Sequence, residues 1–80
     1  MRNVYKFLIV IEKSETGYSA YSPDLPGCVA TGRTERETEK RMYEAIELHL
    51  EGMLEDDVPV PKSTATSVYA IVSKPAKQAA

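Results

Sequence analysis

The sequence predicts an α+β fold with the element order β-β-β-α-β, in which one long helix covers one face of a four-stranded sheet. Short runs of β-branched and aromatic residues separated by turn residues fill the first 32 positions. A stretch with apolar residues at helical spacing follows, and then another β-prone run. A strand reached through a helical crossover favours a parallel neighbour and a right-handed connection. The predicted strand order is therefore 3-2-1-4.

The first strand is predicted over Val4–Ile11, which is rich in β-branched and aromatic residues and apolar on both faces. A strand of this kind belongs in the interior of a sheet. Because one helix covers only one sheet face, Leu8 and Val10 on the other face are predicted to form a homo-oligomer interface. The expected assembly is a closed dimer or tetramer.

Two prolines and a glycine restrict the turn between the second and third strands, within Tyr18–Gly32. Pro23 and Pro26 fix φ at about −65° and disfavour helix at the residue before each. Gly27 provides a position where φ can be positive. Side chains alternate in character before and after the turn, which predicts a β-hairpin with one buried face.

The helix is predicted to begin after Thr34, which forms a capping box with Glu37. Such a cap contributes about 1 kcal/mol. An apolar stripe at three- and four-residue spacing is predicted to pack on the sheet. Its members are Met42, Ile46, His49, Leu50 and Met53, with Tyr43, Ala45 and Leu54 on its flanks.

The last strand is predicted over Thr66–Val72, which is apolar on both faces. It follows an extended, proline-containing approach, Asp56–Pro61. A single domain is predicted over residues 1–73, and the polar residues 74–80 are expected to form a disordered tail.

Composition excludes several classes of protein. A net charge of −2 and a pI near 5.3 give no basic field, so direct binding to nucleic acid is not expected. The single Cys28 cannot close an internal disulfide, and no signal-peptide pattern opens the chain. The longest aliphatic or aromatic run, Phe7–Ile11, is too short to span a bilayer. A cytoplasmic protein that does not bind membranes is predicted.

The sequence offers little catalytic chemistry. Cys28 and His49 are a conceivable nucleophile and base, but no third group that would orient them can be identified. A packed cysteine and a buried, hydrogen-bonded histidine are favoured instead. No metal-ligand spacing and no phosphate-binding loop are present. We therefore expect no enzymatic activity, no catalytic residues, no metal and no cofactor.

Two segments carry a family resemblance: GYSAYSPDLPGCVATGRT, and then a helix ending EAIELHLEGMLEDDVPVPK. At this spacing they resemble the N-terminal domain of the HicB family, the antitoxins of HicA/HicB toxin–antitoxin pairs. The resemblance covers roughly residues 4–72 and implies a fold related to part of RNase H, with a role in binding another protein. Full-length HicB antitoxins carry a further C-terminal DNA-binding segment. This sequence continues for eight residues after the predicted last strand, so we expect a stand-alone member without that segment.

The resemblance to RNase H also suggests metal-dependent hydrolysis as a candidate activity. Nucleases of that fold hold metal ions with carboxylates from the first strand, the helix and the fourth strand. This chain provides only Glu12, Glu44 and Glu47 on the first strand and the helix, and the range 66–72 contains no acid. Two-metal hydrolysis needs several converging carboxylates. We therefore expect the scaffold without the ligands.

Acidic residues dominate the helix. Nine acids and three bases between Glu35 and Asp57 give a local net charge of −6. Charge runs of this kind are usually solvated faces, but an acidic face can also steer a basic protein partner. HicA toxins are small, basic, RNA-binding ribonucleases, so the resemblance implies a partner of this charge. The predicted partner-binding residues are Asp24, Leu25, Glu44, Glu47, Leu48, Glu51 and Glu55.

The predicted function is that of an antitoxin-like module that neutralises a HicA-type ribonuclease by masking its RNA-binding face. Two alternatives remain open at this point. One is an orphan homo-oligomer without a toxin, and the other is a small-ligand binder on a partial RNase H scaffold.

Overall fold

The computed structural model describes residues 3–77 and contains a three-stranded sheet and one helix. The strands β1 (Val10–Lys13), β2 (Tyr18–Tyr21) and β3 (Val29–Gly32) form an antiparallel meander in the order β1-β2-β3. The helix α1 (Glu35–Glu55) packs mainly over β3 and β2. The α+β class and the single long helix are confirmed.

Strand register gives the sheet two distinct faces. Ile11, Ala20 and Ala30 lie in one row across the three strands, and this row belongs to the core beneath the helix. The next row, on the opposite face, consists of Val10, Tyr21 and Val29. Tyr21 and Val29 are 42% and 64% exposed. The helix therefore leaves an apolar row uncovered on the outer face of the sheet.

The β2–β3 connection consists of two consecutive β-turns. Ser22 O accepts a hydrogen bond from Leu25 N at 3.1 Å, and Leu25 O accepts one from Cys28 N at 3.1 Å. A proline occupies the second position of each turn. Gly27, at the third position of the second turn, has φ of 83°, as a type II turn requires. The predicted turn is confirmed, and its doubled form directs the Leu25 side chain into the core.

The helix begins as the sequence predicts. Thr34 Oγ1 accepts a hydrogen bond from Glu37 N at 3.1 Å. The Glu37 carboxylate accepts from the backbone N–H of Arg33 at 3.4 Å, one residue before the cap, and forms an ion pair with Arg41 at 3.1 Å. Thr38, fully buried, donates its hydroxyl proton to Thr34 O at 2.8 Å. These bonds fix the first turn of α1 against the end of β3.

The helix ends in a Schellman motif. Val58 N donates to Met53 O at 2.8 Å, and Asp57 N donates to Leu54 O at 3.3 Å. Asp57 has φ of 53°, in the left-handed region that this motif needs at the residue after the cap. The chain then continues in extended conformation. The sequence analysis did not identify this motif because an aspartate replaces the usual glycine.

The core is small and lies between α1 and the helix-facing side of the sheet. Its buried apolar members are Ala20, Leu25, Cys28 and Met42. Ala45 and Ile46 pack against it, and the remaining stripe residues His49, Leu50 and Met53 are half-buried. The two flanking positions Tyr43 and Leu54, predicted to border the packed stripe, are instead 62% and 52% exposed.

Two predicted strands differ from the structure. The first begins at Val10 and not at Val4, because β2 ends at Tyr21 and the proline turn that follows offers no ladder to the earlier residues. Thr66–Val72 forms no strand within the described residues. The sheet therefore has three strands, and the predicted fourth strand and the 3-2-1-4 order are not observed. Pairing is a tertiary event that β-propensity alone does not decide.

We call Thr66–Val72 the C-terminal arm. It extends away from the domain, which gives the chain a radius of gyration of 17.2 Å and extents of 63 × 28 × 20 Å. A compact chain of this length has a radius of gyration of about 12 Å. Beyond the arm, residues 74–77 are exposed, and the last three residues of the predicted tail lie outside the described range.

Candidate partner-binding surface

The outer face of α1 carries the four glutamates that the sequence analysis selected. Their spacing along the helix places them on one side, opposite Met42 and Ile46. All four are exposed. We call this set, together with the leucine between them, the acidic face: Glu44, Glu47, Leu48, Glu51 and Glu55.

Leu48 is the apolar centre of the acidic face. It is 70% exposed and flanked along the helix by Glu44 and Glu51. Singly exposed leucines are ordinary on protein surfaces. An apolar side chain ringed by like charges can nevertheless act as an anchor once a partner excludes water around it.

The charge of the acidic face is not compensated locally. Among residues 3–77 the structure gives one ion pair, Arg41–Glu37, which lies near the other end of the helix. The last helical turn contains no basic residue, and the helix dipole is negative at that end. Neighbouring glutamates four residues apart repel one another by a few tenths of a kcal/mol. A basic partner would relieve this repulsion.

Asp24, predicted to contact a partner from the turn tip, is engaged within the chain. Its Oδ2 accepts the backbone N–H groups of Thr64 at 3.0 Å and Ala65 at 3.1 Å, and its Oδ1 accepts the Thr64 hydroxyl at 3.2 Å. The hydrogen bond from Ala65 N is the largest of the effects that hold the pKa of Asp24 below its ordinary value. Asp24 therefore anchors the base of the C-terminal arm. An aspartate inside a proline turn commonly accepts backbone N–H groups, and this is the signal that could have predicted the role.

Leu25, the other predicted turn residue, is 1% exposed and belongs to the core. The second of the two turns points its side chain inward, so it cannot contact a partner from the surface. Leu25 is therefore not part of the candidate surface. Leu8 and Val10, predicted as an oligomer interface, are half-buried.

Cys28 and His49, considered above as a nucleophile and a base, are both withdrawn from the surface. Cys28 is 4% exposed, and burial raises the pKa of its thiol, which keeps the sulfur protonated and weakly nucleophilic. His49 is half-buried on the helix. Glu12, Glu44 and Glu47 are all exposed, and the last two face away from the sheet. Within residues 3–77 no three His, Cys, Asp or Glu side chains converge on a metal-sized site.

An apolar groove runs between α1 and the N-terminal segment beside β1. Its walls on the sheet side come from the segment before β1, which the sequence predicted to be part of the first strand. It has a volume of about 440 Å³. We call it the β1 groove, and its apolar walls are Tyr5, Phe7, Ile9, Tyr43, Ile46 and Leu50.

A polar depression lies at the other end of the sheet, between the β1–β2 turn and the start of α1. It is lined by Ser14, Thr31 and Arg33, together with Glu37 and Arg41. The Arg41 guanidinium already pairs with Glu37 and donates to Thr31 O at 3.1 Å. The charge of Arg41 is thus offset, and Arg33 is the other cationic side chain in the lining of the depression.

No helix in the described part of the chain combines the length and the apolar character needed to cross a bilayer.

Comparison with known proteins places this chain in a family. The model of the HicB-like antitoxin of bacterial toxin–antitoxin systems matches residues 7–79. A chain of the HicA3 and HicB3 toxin–antitoxin complex superposes with a TM-score of 0.61 and 29% identity, over 74% of this chain and 72% of that chain. The chain belongs to the HicB-like antitoxin family of bacterial toxin–antitoxin systems.

Relatives occur in bacteria and in a phage. A UPF0150 protein of Helicobacter pylori is 48% identical over 61 residues, covering 76% of this chain and 83% of that protein. A UPF0150 protein of Synechocystis is 37% identical over 62 residues, covering 76% and 78%. A 14.9 kDa protein from the rep-hol intergenic region of Haemophilus phage HP1 is 48% identical over 61 residues. That alignment covers 76% of this chain but only 46% of the phage protein.

Proposed function

We propose that this chain is an antitoxin that binds a small, basic, HicA-type ribonuclease through the acidic face and thereby blocks the toxin's access to RNA. One observation carries the proposal. The acidic face presents four exposed glutamates around a leucine that is 70% exposed, in a chain of the HicB-like antitoxin family.

The mechanism follows from charge competition. A ribonuclease that binds RNA must present cations to phosphate groups. An acidic protein surface attracts the same cations, accelerates encounter, and occupies the face that RNA would use. Binding alone is sufficient for this inhibition, so the proposed role is non-enzymatic. Because the toxin's RNA substrate is in the cytoplasm, we place the complex there.

Self-association is part of the proposal. The outer sheet face presents the row Val10, Tyr21 and Val29, which α1 does not cover, and Leu8 precedes this row in the segment that leads into β1. An apolar sheet face of this kind is normally covered by another molecule. A homodimer or tetramer with closed symmetry would cover it and leave the acidic face, on the outside of the helix, available to the toxin.

The direct test is co-expression with a HicA-type toxin, taken from a reading frame that neighbours the gene. We expect a complex that survives purification and restores growth to cells in which the toxin alone arrests it. A matched control expresses the same toxin with the variant Leu48→Asp, which places a fifth charge at the apolar centre of the face and should weaken rescue. Absence of both a complex and rescue would overturn the proposal in favour of an orphan homo-oligomer.

A further inference from the structure

The C-terminal arm is an apolar, β-prone segment without a strand partner among residues 3–77. Val68, Tyr69 and Ile71 are 90%, 99% and 98% exposed, and Val72 is 70% exposed. A near-continuous run of β-branched and aromatic residues is typical of a strand that is buried on both faces. The arm contains no charged residue, so it offers nothing to a basic toxin. Its chemistry fits a sheet edge with apolar surroundings.

The same chain provides such an edge. β1 is the outer strand of the sheet, and the edge it presents away from β2 carries no ladder partner among the described residues. The β1 groove lies beside the segment that leads into β1, and its walls include Ile9 from that segment and Tyr43 and Leu50 from the helix side. Tyr43 is 62% exposed. A strand added along β1 would bury the edge and meet the groove at Ile9.

The base of the arm already runs in the direction that this pairing needs. Residues 60–63 line one surface pocket with residues 4–7, and Ser63, Ala65 and Thr66 line the next pocket with residues 6–8. The two segments therefore advance side by side in the same direction. The Asp24 carboxylate fixes this approach through Thr64 and Ala65. After Thr66 the arm leaves its own domain.

We propose that the C-terminal arm of one copy forms the fourth strand of a second copy, parallel to its β1 and reaching the Ile9 end of its β1 groove, in a closed exchanged dimer. A two-fold exchange covers both arms and both β1 edges with one type of contact. Exchange of an identical element is a low-cost route to a dimer, because the contacts are those a single chain would make with itself. This inference goes beyond the antitoxin proposal and does not depend on it.

Two single-cysteine chains test the exchange. In a Cys28→Ala background, one chain carries Ile11→Cys on β1 and the other carries Val68→Cys on the arm. Residues 60–66 lie beside residues 4–8. When this parallel alignment is continued past Thr66, Val68 comes opposite Ile11. The chains are given tags of different mass, refolded together and mildly oxidised. We expect a disulfide that joins the two different chains. A disulfide that forms only when both cysteines are placed on one chain, in a particle with the mass of one chain, would overturn the proposal. The proposal would also be overturned if Ser67→Cys and Tyr69→Cys, tried in place of Val68→Cys, formed no disulfide either between chains or within one chain.

Light scattering of the intact chain provides a second readout. We expect the mass of a dimer or of a multiple of it at tens of micromolar, and the double variant Tyr69→Lys/Ile71→Lys should halve that mass. The helical signal of α1 in circular dichroism should be retained, because neither side chain contacts the domain of its own chain. The control Ser73→Lys/Ala76→Lys adds the same charge just beyond the arm and should keep the parent mass. A mass equal to the parent's in the arm variant, or a parent that is monomeric and whose arm becomes protected only when a toxin is added, would contradict the exchange.

Discussion

Asp24 accepts the backbone N–H of Ala65 at 3.1 Å, a contact that joins the proline turn of the hairpin to the base of the C-terminal arm. The same carboxylate oxygen accepts from Thr64 N at 3.0 Å. Because the turn contains two prolines and packs through Leu25 into the core, the anchor is fixed to a conformationally restricted turn. The direction in which the arm leaves the domain is therefore set by one side chain.

This anchor should depend on pH. The hydrogen bond from Ala65 N is the main cause of the lowered pKa of Asp24, so the folded pKa lies below the unfolded one. The stabilisation is therefore fully present above the ordinary aspartate pKa and is lost as pH falls through the lowered value. We expect the amide NMR shifts of Thr64 and Ala65 to titrate together with a midpoint below that of an unperturbed aspartate. Asp24→Asn should remove the transition, whereas a midpoint at the ordinary value or above would contradict the assignment.

Gly32 should not tolerate a side chain. A Cβ at this position would lie 2.5 Å from Thr38 Oγ1 and 2.9 Å from Thr38 N, in the buried first turn of α1. Gly32→Ala must push the helix from β3, which should lower the free energy of unfolding by about 1–3 kcal/mol. At Gly52 an added Cβ meets nothing within 4 Å. Gly52→Ala should therefore raise stability by about 0.5–1 kcal/mol. Urea denaturation compares the two, and equal effects would refute the packing argument.

Asp57 should be improved by glycine. Its φ of 53° costs an ordinary residue more than it costs glycine, and its charge lies at the negative end of the helix dipole. We expect Asp57→Gly to raise the free energy of unfolding by up to about 1 kcal/mol. Asp57→Asn removes only the charge and should give part of the gain. Thermal denaturation measures both, and a gain from asparagine equal to that from glycine would assign the effect to charge alone.

The sequence predicted the elements that local chemistry determines. The capped start of α1 at Thr34, the proline turn, the exposure of the acidic face and the three-stranded meander all depend on neighbours in sequence. Pairing between distant segments is not decided by neighbours in sequence. The two segments predicted as strands and left unpaired, Val4–Ile9 and the C-terminal arm, are those that the 3-2-1-4 order would have placed side by side. β-Propensity reports that a segment can enter a sheet, but not which edge accepts it.

The candidate site follows the same division. Helical spacing was enough to place the glutamates and Leu48 on one outer face, because that geometry is fixed by the helix itself. It was not enough for the turn, where Asp24 binds the arm and Leu25 enters the core. Side-chain direction there depends on the second β-turn, which begins at Leu25. The β1 groove could not be predicted, because its wall opposite the helix is formed by residues before β1 that were expected to pair within the sheet.

Leu48 should act as the apolar anchor of the toxin complex. Leu48→Ala removes a side chain that is 70% exposed in the free protein, so folding should be unaffected. If the side chain is buried by the toxin, dissociation should become about tenfold faster, equivalent to about 1.4 kcal/mol. Val4→Ala, at a valine that is 93% exposed in the segment before β1, removes apolar surface away from the acidic face and is the control. Surface plasmon resonance measures both rates, and equal rates for the two variants would exclude Leu48 as the anchor.

The association rate with a HicA-type toxin, measured by stopped flow at rising ionic strength, tests the role of the acidic face most directly. We expect the rate to fall steeply as salt screens the charges. Glu47→Gln/Glu51→Gln should lower the rate severalfold at low salt and flatten its salt dependence. Glu12→Gln/Glu15→Gln removes the same charge from exposed positions outside the face and should have a smaller effect. A rate that is independent of salt, or an equal loss from both pairs, would contradict the proposal that the acidic face receives the toxin.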